Sequence, residues 1–322
     1  MTGSYLRGTS VSAYADNLVS GPRQEGRVLA VFEKTSYMEF PGNRLLCAAV
    51  PSVGNGPFTI LVELHPRKPL SSLLRPGDRC AVGDGSLEVG GLYADLTGAP
   101  RWVSSWQACS GRPEGCVGAV RTRLSAAAEL FRREGRRDKP GWLLTFAGDG
   151  VPGEMEGESF TGLMLGAARK GLALLRQGVL QGSPALLTAG ASSLVGLGPG
   201  LTPSGDDLLA GFMLGVQLAS RAAGRDAAGS QDVWEPVVMS LGRSTTVVAA
   251  AFLRFAARGM VSEPIERLLR ALLGWGEVDE ASRGVLRLGG SSGNDFMAGL
   301  LAGAQAGMAA CDGCRSDAER RR

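Results

Sequence analysis

Residues 196–207 read Gly-Leu-Gly-Pro-Gly-Leu-Thr-Pro-Ser-Gly-Asp-Asp: four glycines, two prolines, two hydroxyls and two adjacent carboxylates, directly ahead of an apolar run from Leu208 to Leu218. Glycines let backbone N–H groups approach a ligand closely, and a helix start offers unpaired donors at the positive end of its dipole. That chemistry holds a phosphate or a carboxylate, here around Gly198, Gly200, Thr202, Ser204 and Gly205. The neighbouring Asp206 and Asp207 could orient an amide or ammonium group, or hold Mg²⁺ through water. A shorter motif, Ser292-Gly293-Asn294-Asp295, opens another helical stretch, and Gly242-Arg-Ser-Thr-Thr246 precedes a third. In the latter, Ser244 and Thr245 place hydroxyls near a helix start, and Arg243 could grip a carboxylate or phosphate with two hydrogen bonds.

The first two motifs form an internal repeat. Ser204–Gly215 and Ser292–Gly303, 88 positions apart, share six residues of twelve, and three of those six are glycines in a glycine-rich chain. A purely architectural account is available for part of the pattern. Ser204-x-x-Asp207 and Ser292-x-x-Asp295 fit a capping box, and Ala210-Gly211-x-x-x-Gly215 with Ala298-Gly299-x-x-x-Gly303 would be small faces for close helix packing. That account leaves Gly198-Pro-Gly200 and the additional Asp206 without a purpose. The helix could also start two residues earlier, with Thr202 as cap and Pro203 in the first turn. Arg254, inside an apolar helical stretch, is a weaker candidate, because burial would demand a partner.

Composition narrows the chemistry. The chain has a single histidine, His65, at the end of an apolar strand-like run, with no nucleophile loop around it, so neither a Ser-His-Asp arrangement nor a histidine-rich metal site is expected. Cys311 and Cys314 have CxxC spacing without a second pair to close a zinc site, and they read as an incidental dithiol on a polar tail. A net charge of +3 with only 6% aromatics does not supply the interleaved basic and aromatic surface of a nucleic-acid binder. Residues 1–20 contain no apolar signal core, and no run approaches the roughly 18 apolar residues of a membrane span, so a cytoplasmic protein is expected. Such a protein would act through positioning, backbone donors, carboxylates and arginines. No motif demands a cofactor, and Mg²⁺ is the ion the carboxylates could take.

The two halves of the 322-residue chain differ in period. Val28–Phe32, Leu45–Val50, Phe58–Leu64, Ala81–Val82 and Leu87–Val89 are short apolar runs between turn residues, which predict strands of a small antiparallel barrel or sandwich. Gly83-Asp-Gly85 and Gly90-Gly91 read as hairpin turns. From residue 118 the period becomes helical: 120–133, 160–177, 185–194, 204–222, 234–241, 244–258, 263–274, 278–288 and 294–309. Residues 143–146 look strand-like, Gly148-Asp-Gly150 could line a cleft, and 150–158 form a polar linker. The reading is α+β: a β-rich N-terminal domain over 1–117, then an all-α domain over 118–322 with glycine-rich helix N-termini.

The string at 196–207, the later Ser244-Thr-Thr246 and the final Ser291-Ser-Gly-Asn-Asp-x-x-Ala-Gly299 together resemble the AllH family, a former domain of unknown function. Members are linked with allantoin catabolism, and one is regarded as a subunit of oxamate carbamoyltransferase working with two larger partner proteins. The resemblance implies reversible carbamoyl transfer between oxamate and phosphate, through oxalurate and carbamoyl phosphate. It implies a small anionic ligand: carbamoyl phosphate, phosphate or an oxamate-like molecule. The matching positions are Gly198, Gly200, Thr202, Ser204, Gly205, Asp206, Asp207, Thr245, Ser292, Gly293 and Asp295, and the sequence departs at Asn294. We assign the loop Gly198–Gly205 to phosphate or carboxylate, Arg243 to added charge, and Asp207, with Asp206 beside it, to orienting the carbamoyl NH₂. Such a transfer needs donors for a dianion and a developing oxyanion, but no protein nucleophile. The scarcity of acid–base residues also fits a non-catalytic assembly or regulatory subunit that binds a small anion while its partners do the chemistry. A stand-alone nucleotide enzyme would want a lysine where Asp206-Asp207 stands.

Overall fold

The computed structural model describes residues 5–65, 68–108, 117–136, 138, 160–225 and 228–320. The strand-like 143–146, Gly148–Gly150, the segment 150–158, Cys109 and Cys116 lie outside the described residues, as do the side chains of His65 and Cys314. The chain forms two compact units, residues 1–105 with 261–263, and 106–260 with 264–322.

Short strands joined by tight turns build the first unit. They are β1 (Tyr5–Ser12), β2 (Gln24–Val31), β3 (Thr35–Phe40), β4 (Arg44–Ala49), β5 (Thr59–His65), β6 (Arg79–Gly83), β7 (Ser86–Val89), β8 (Leu92–Asp95) and β9 (Arg101–Trp102). They form one sheet in the order β8-β7-β6-β2-β3-β4-β5-β1-β9. Pairing is antiparallel except between β4 and β5 and between β1 and β9. The β6–β7 turn has Asp84 and Gly85 at φ 50° and 77°, and the β7–β8 turn has Gly90 and Gly91 at φ 56° and 81°. Two successive left-handed residues match the twist of the flanking strands, so both expected hairpins form. The sheet curls until Gly8 of β1 presses on Leu96, just past β8, where any side chain on Gly8 would overlap it. The result is a half-barrel around Met38, Leu46, Ile60, Val62, Val82 and Leu87. A short helix, α1 (Ala13–Val19), capped by Ser12 Oγ accepting from Ala15 N, adds Ala15, Leu18 and Val19 to that core. Runs of apolar residues do not reveal β1, α1 or β3. In β3 only alternate residues, Ser36, Met38 and Phe40, point inward, and a period of two needs no continuous run.

The second unit is helical: α2 (Val117–Glu134), α3 (Phe160–Gln181), α4 (Pro184–Ser192), α5 (Ser204–Ala222), α6 (Ala228–Leu241), α7 (Val247–Ala257), α8 (Glu263–Leu272), α9 (Val278–Leu286) and α10 (Ser292–Arg320). Glu263 itself belongs to the first unit, where its carboxylate accepts from Asn55 N and Nδ2, both at 3.0 Å. Among the described residues no helix is long and apolar enough to cross a membrane.

The repeat is the heart of this unit. From Gly205 to Ala219 every residue of α5 except Asp207 is buried, as befits a helix apolar on all sides. It packs along α10 through glycines. A Cβ on Gly211 would overlap the Phe296 carbonyl oxygen, and one on Gly299 would overlap that of Leu208. Gly215 meets Leu300 O and Gly303 meets Phe212 O in the same reciprocal way. Since 208, 211, 212 and 215 correspond to 296, 299, 300 and 303 at the repeat's offset of 88, the two helices are related by a pseudo-twofold and run parallel. Glycine is required at these positions by backbone-to-backbone contact. Gly299→Ala is therefore expected to destabilise the protein by about 1–3 kcal/mol despite alanine's better helix propensity. Gly166→Ala, in α3 with open space around it, is expected to be neutral or stabilising by up to about 1 kcal/mol. Urea unfolding of both variants checks the contrast, and equal effects would refute the backbone-contact account.

Candidate functional site

Parallel packing brings the N-termini of α5 and α10 side by side. The frame of α5 settles the capping question: Pro203 is the cap, no side chain caps the helix, and Ser204 is the first helical residue. Ser204 thus does not play the capping-box role, and the carboxylates behind it are free for other contacts.

Asp206 is 2% exposed. Its Oδ2 accepts from Gly196 N at 2.9 Å and from Thr245 Oγ1 at 3.0 Å. One carboxylate therefore ties the beginning of the glycine loop to the turn before α7. Thr246 continues this attachment: its hydroxyl donates to Leu201 O at 2.5 Å and, as cap of α7, accepts from Ala249 N at 3.0 Å. Gly196 lies against the carbonyl of Ser244, with φ 77°, leaving no room for a side chain. Gly198 and Gly200 have φ of 113° and 102°, and the space beside Gly200 is open. Burial pushes the Asp206 carboxyl up to about 6, against the lowering influence of the Gly196 and Thr245 hydrogen bonds.

In the second motif Asn294 does the work of Asp206. Its Oδ1 accepts from Arg136 N at 2.8 Å, and Arg136 Nη1 donates to Gly290 O at 2.7 Å. Acceptance is all this position requires, and an amide oxygen provides it as a carboxylate does, which accounts for the Asn at 294. Arg136 carried no signal in the sequence beyond surface charge; only the end of α2 folding back to this loop reveals it.

Asp207 and Asp295 are equivalent under the pseudo-twofold, and they sit where the two helix starts meet. Asp295 is 1% exposed. The hydroxyls of Thr202 and Ser292 stand 3.1 Å apart, joining the two motifs. Asp207 keeps a little surface as a residue, but its Oδ2 is sealed from solvent and accepts no hydrogen bond. Burial, followed by the charges of Asp295 and Asp206, pushes its carboxyl up to about 8 against the opposing hydrogen bonds of Ser292 and Thr202. The upward shift favours the protonated acid, which can donate through its O–H and accept through its C=O.

Other expected residues take different positions. Gly205 and Gly293 are buried against the carbonyls of Leu194 and Val285, and their N–H groups donate to Leu197 O at 2.8 Å and Leu288 O at 3.1 Å. Arg243 and Ser244 are exposed on the turn before α7, and Arg254 is half-buried within α7. Among the described residues, the N–H groups of Gly198, Gly200, Leu201, Thr202 and Ser204 donate to no protein acceptor, nor do those of residues 289–292. Two neighbouring sets of open donors at two helix starts can receive an anion. Among the described residues no group of three or more His, Cys, Asp or Glu is arranged to hold a metal ion.

A curled antiparallel sheet with a helical unit built on a duplicated loop–helix motif defines the class of protein: α+β, with two glycine-rich helix starts set side by side. The chain belongs to the AllH family: residues 194–304 match the family described as oxamate carbamoyltransferase subunit AllH, and residues 7–101 match the AllH family N-terminal domain. The family is that of a carbamoyltransferase subunit, and a subunit implies partner subunits. No solved structure matches the chain.

The pH dependence of stability follows chiefly from Asp207, with a smaller contribution of the same sign from Asp206, whose carboxyl is raised to about 6. The folded value of Asp207 lies above the ordinary 3.8, so between about 4 and about 8 the folded chain keeps a proton that the unfolded chain has lost. Stability is therefore expected to fall as pH rises through that window, with the loss complete above about 8. Asp207→Asn removes its contribution and should flatten the dependence between about 6 and about 8, leaving the smaller part from Asp206 below that. Urea unfolding between pH 4 and 9 measures it, and an unchanged slope in the variant would refute the buried neutral acid.

Proposed function

We propose that this chain supplies the small-anion site of a carbamoyltransferase acting on oxamate and oxalurate, with carbamoyl phosphate as the linked carbamoyl carrier, in a cytoplasmic complex with two partner subunits. The observation that carries the reading is the juxtaposition of two glycine-rich helix starts whose loop N–H groups lack protein acceptors. In the phosphorolytic direction a phosphate oxygen attacks the carbamoyl carbon of oxalurate, the C–N bond to oxamate breaks, and the departing nitrogen takes up a proton. The reverse direction forms the C–N bond and releases phosphate. The loop Gly198–Ser204 holds the phosphate or the oxamate carboxylate, and Ser292 contributes a hydroxyl. Asp207, whose burial favours the protonated acid, orients the carbamoyl NH₂. Asp206 positions the loop through Gly196 and Thr245. Arg243 adds positive charge from the turn before α7, and Mg²⁺ binding through the carboxylates is tested in the same experiment.

A second reading is supported by the engagement of Asp206, Asn294, Gly205 and Gly293 in holding and packing the loops. In it the chain is a regulatory or assembly subunit that binds an anion while partners do the chemistry. Reconstitution without this chain separates the two, since a purely regulatory subunit leaves residual turnover.

Calorimetric titration of the purified chain with carbamoyl phosphate, with and without Mg²⁺, tests the site. Saturable binding is expected, weakened about tenfold or more by Asp207→Ala and weakened in the wild type as pH rises through about 8. Binding indifferent to the substitution and to pH would remove Asp207 from the site.

A further inference from the structure

The two loops joined by the Thr202–Ser292 contact are equivalent under the pseudo-twofold but differ in charge. The first is tied down by a carboxylate: Asp206 Oδ2 accepts from Gly196 N and Thr245 Oγ1, and its Oδ1 is sealed from solvent without a partner. The second is tied by a neutral amide, because Asn294 Oδ1 accepts from Arg136 N at 2.8 Å. The supply of donors differs in the same sense. Pro203 interrupts the N–H groups of the first loop, whereas its counterpart Ser291 keeps one. Residues 289–292 thus present a consecutive run of N–H groups that donate to no acceptor among the described residues. Gly289 and Gly290 are exposed, and the space beside Gly290 is open.

A guanidinium stands at this second loop. Arg136 Nη1 donates to Gly290 O at 2.7 Å, which fixes the head beside the run of open N–H groups. Its Nη2 faces Asp138 at 3.7 Å, an exposed pair that water screens. The first loop has an arginine as well. Arg243 is exposed on the turn whose Thr245 bonds Asp206 and whose Ser244 carbonyl abuts Gly196. Asp207 and Asp295 stand at corresponding places of the two helix starts, so they do not tell the loops apart. Position 206 does, since it is an acid while its counterpart 294 is an amide. A carboxylate behind the cradle repels a dianion about twice as strongly as a monoanion, and a dianion gains correspondingly more from a fixed guanidinium.

We infer that the second loop, residues 289–292 with Arg136, takes the phosphate dianion, and that the first loop, Gly198–Ser204 with Arg243, takes the carboxylate of oxamate or oxalurate. The carbamoyl carbon then lies between them, by Thr202, Ser292 and Asp207, whose Oδ2 accepts no hydrogen bond from the protein. An oxygen of hydrogen phosphate on the second loop bonds to that carbon and the C–N bond breaks. The phosphate's proton passes to the departing oxamate nitrogen. The assignment rests on the anion-site reading and goes beyond it by giving each anionic end its own loop. It makes Arg136 a substrate-binding residue, a role that no sequence motif marks.

The test titrates the purified chain calorimetrically with inorganic phosphate and, separately, with oxamate. Arg136→Gln is expected to weaken phosphate about tenfold or more and to change oxamate by less than about twofold, and Arg243→Gln should do the reverse. Arg136→Lys, which keeps the charge but loses the planar fork, is expected to recover part of the phosphate affinity. Both arginines are exposed, and Arg136 bonds Asn294 through its backbone, so circular dichroism and thermal unfolding of the variants should match wild type. In the enzyme assembled with its partner subunits, Arg136→Gln should raise KM for phosphate about tenfold and leave KM for oxalurate unchanged, a split that a general loss of structure would not give. Equal weakening of both ligands by Arg136→Gln, no weakening of either, or loss of oxamate alone would overturn the assignment while leaving an anion site in place. A wild-type chain that binds neither phosphate, oxamate nor carbamoyl phosphate would instead remove the anion-site reading, and the assignment with it.

Discussion

The parallel contact between α5 and α10 is the constraint from which the site follows. Four glycines, at 211, 215, 299 and 303, meet four carbonyl groups on the opposite helix, at Phe296, Leu300, Leu208 and Phe212. Such contacts forgo side-chain burial at the crossing and replace it with close dispersion and weak Cα–H···O interactions along the backbones. Parallel alignment also has an electrostatic cost, because two positive dipole ends lie together. That cost makes the shared end receptive to negative charge or to acceptors. The loops, the hydroxyls of Thr202 and Ser292, and the carboxyl groups all gather there as a consequence.

Within this frame the two copies of the motif have diverged in chemistry while keeping their architecture. Position 206 and its counterpart 294 both serve as acceptors that tie a loop to a neighbouring element, one as an acid and the other as an amide. Position 207 and its counterpart 295 remain acids at the dyad. Thr202 has Gly290 as its counterpart, so the hydroxyl that the first motif places near Asp207 has no equivalent in the second. The two copies thus make a pseudo-symmetric scaffold with unsymmetrical polar groups, and the raised Asp207 value comes first from burial and then from the charges of Asp295 and Asp206.

Much of this was legible in the residues. The glycine loop, the repeat, the small packing faces and the division into a β-rich and a helical half follow from local pattern, because turn chemistry and helical period are properties of neighbouring residues. The hairpins at Asp84-Gly85 and Gly90-Gly91 are the clearest case. The motif string was also sufficient to place the chain in its family. Strands such as β3, with Ser36 inward among alternating residues, escaped a search for apolar runs.

What only the tertiary structure decided was the orientation of the repeat and the assignment of each polar group. Local sequence allowed Ser204 to cap its helix with Asp207 reaching back; the fold instead caps with Pro203 and turns Asp207 toward Ser292, 85 residues away in sequence. It made Asp206 and Asn294 anchors, made Gly205 and Gly293 packing residues, and brought Arg136 to the second loop. The physical reason is that a carboxylate's partner, burial and proton affinity depend on groups distant in the chain. Sequence determined which chemical groups were available and on which helix starts they stood. Packing of α5 on α10 determined which of them meet.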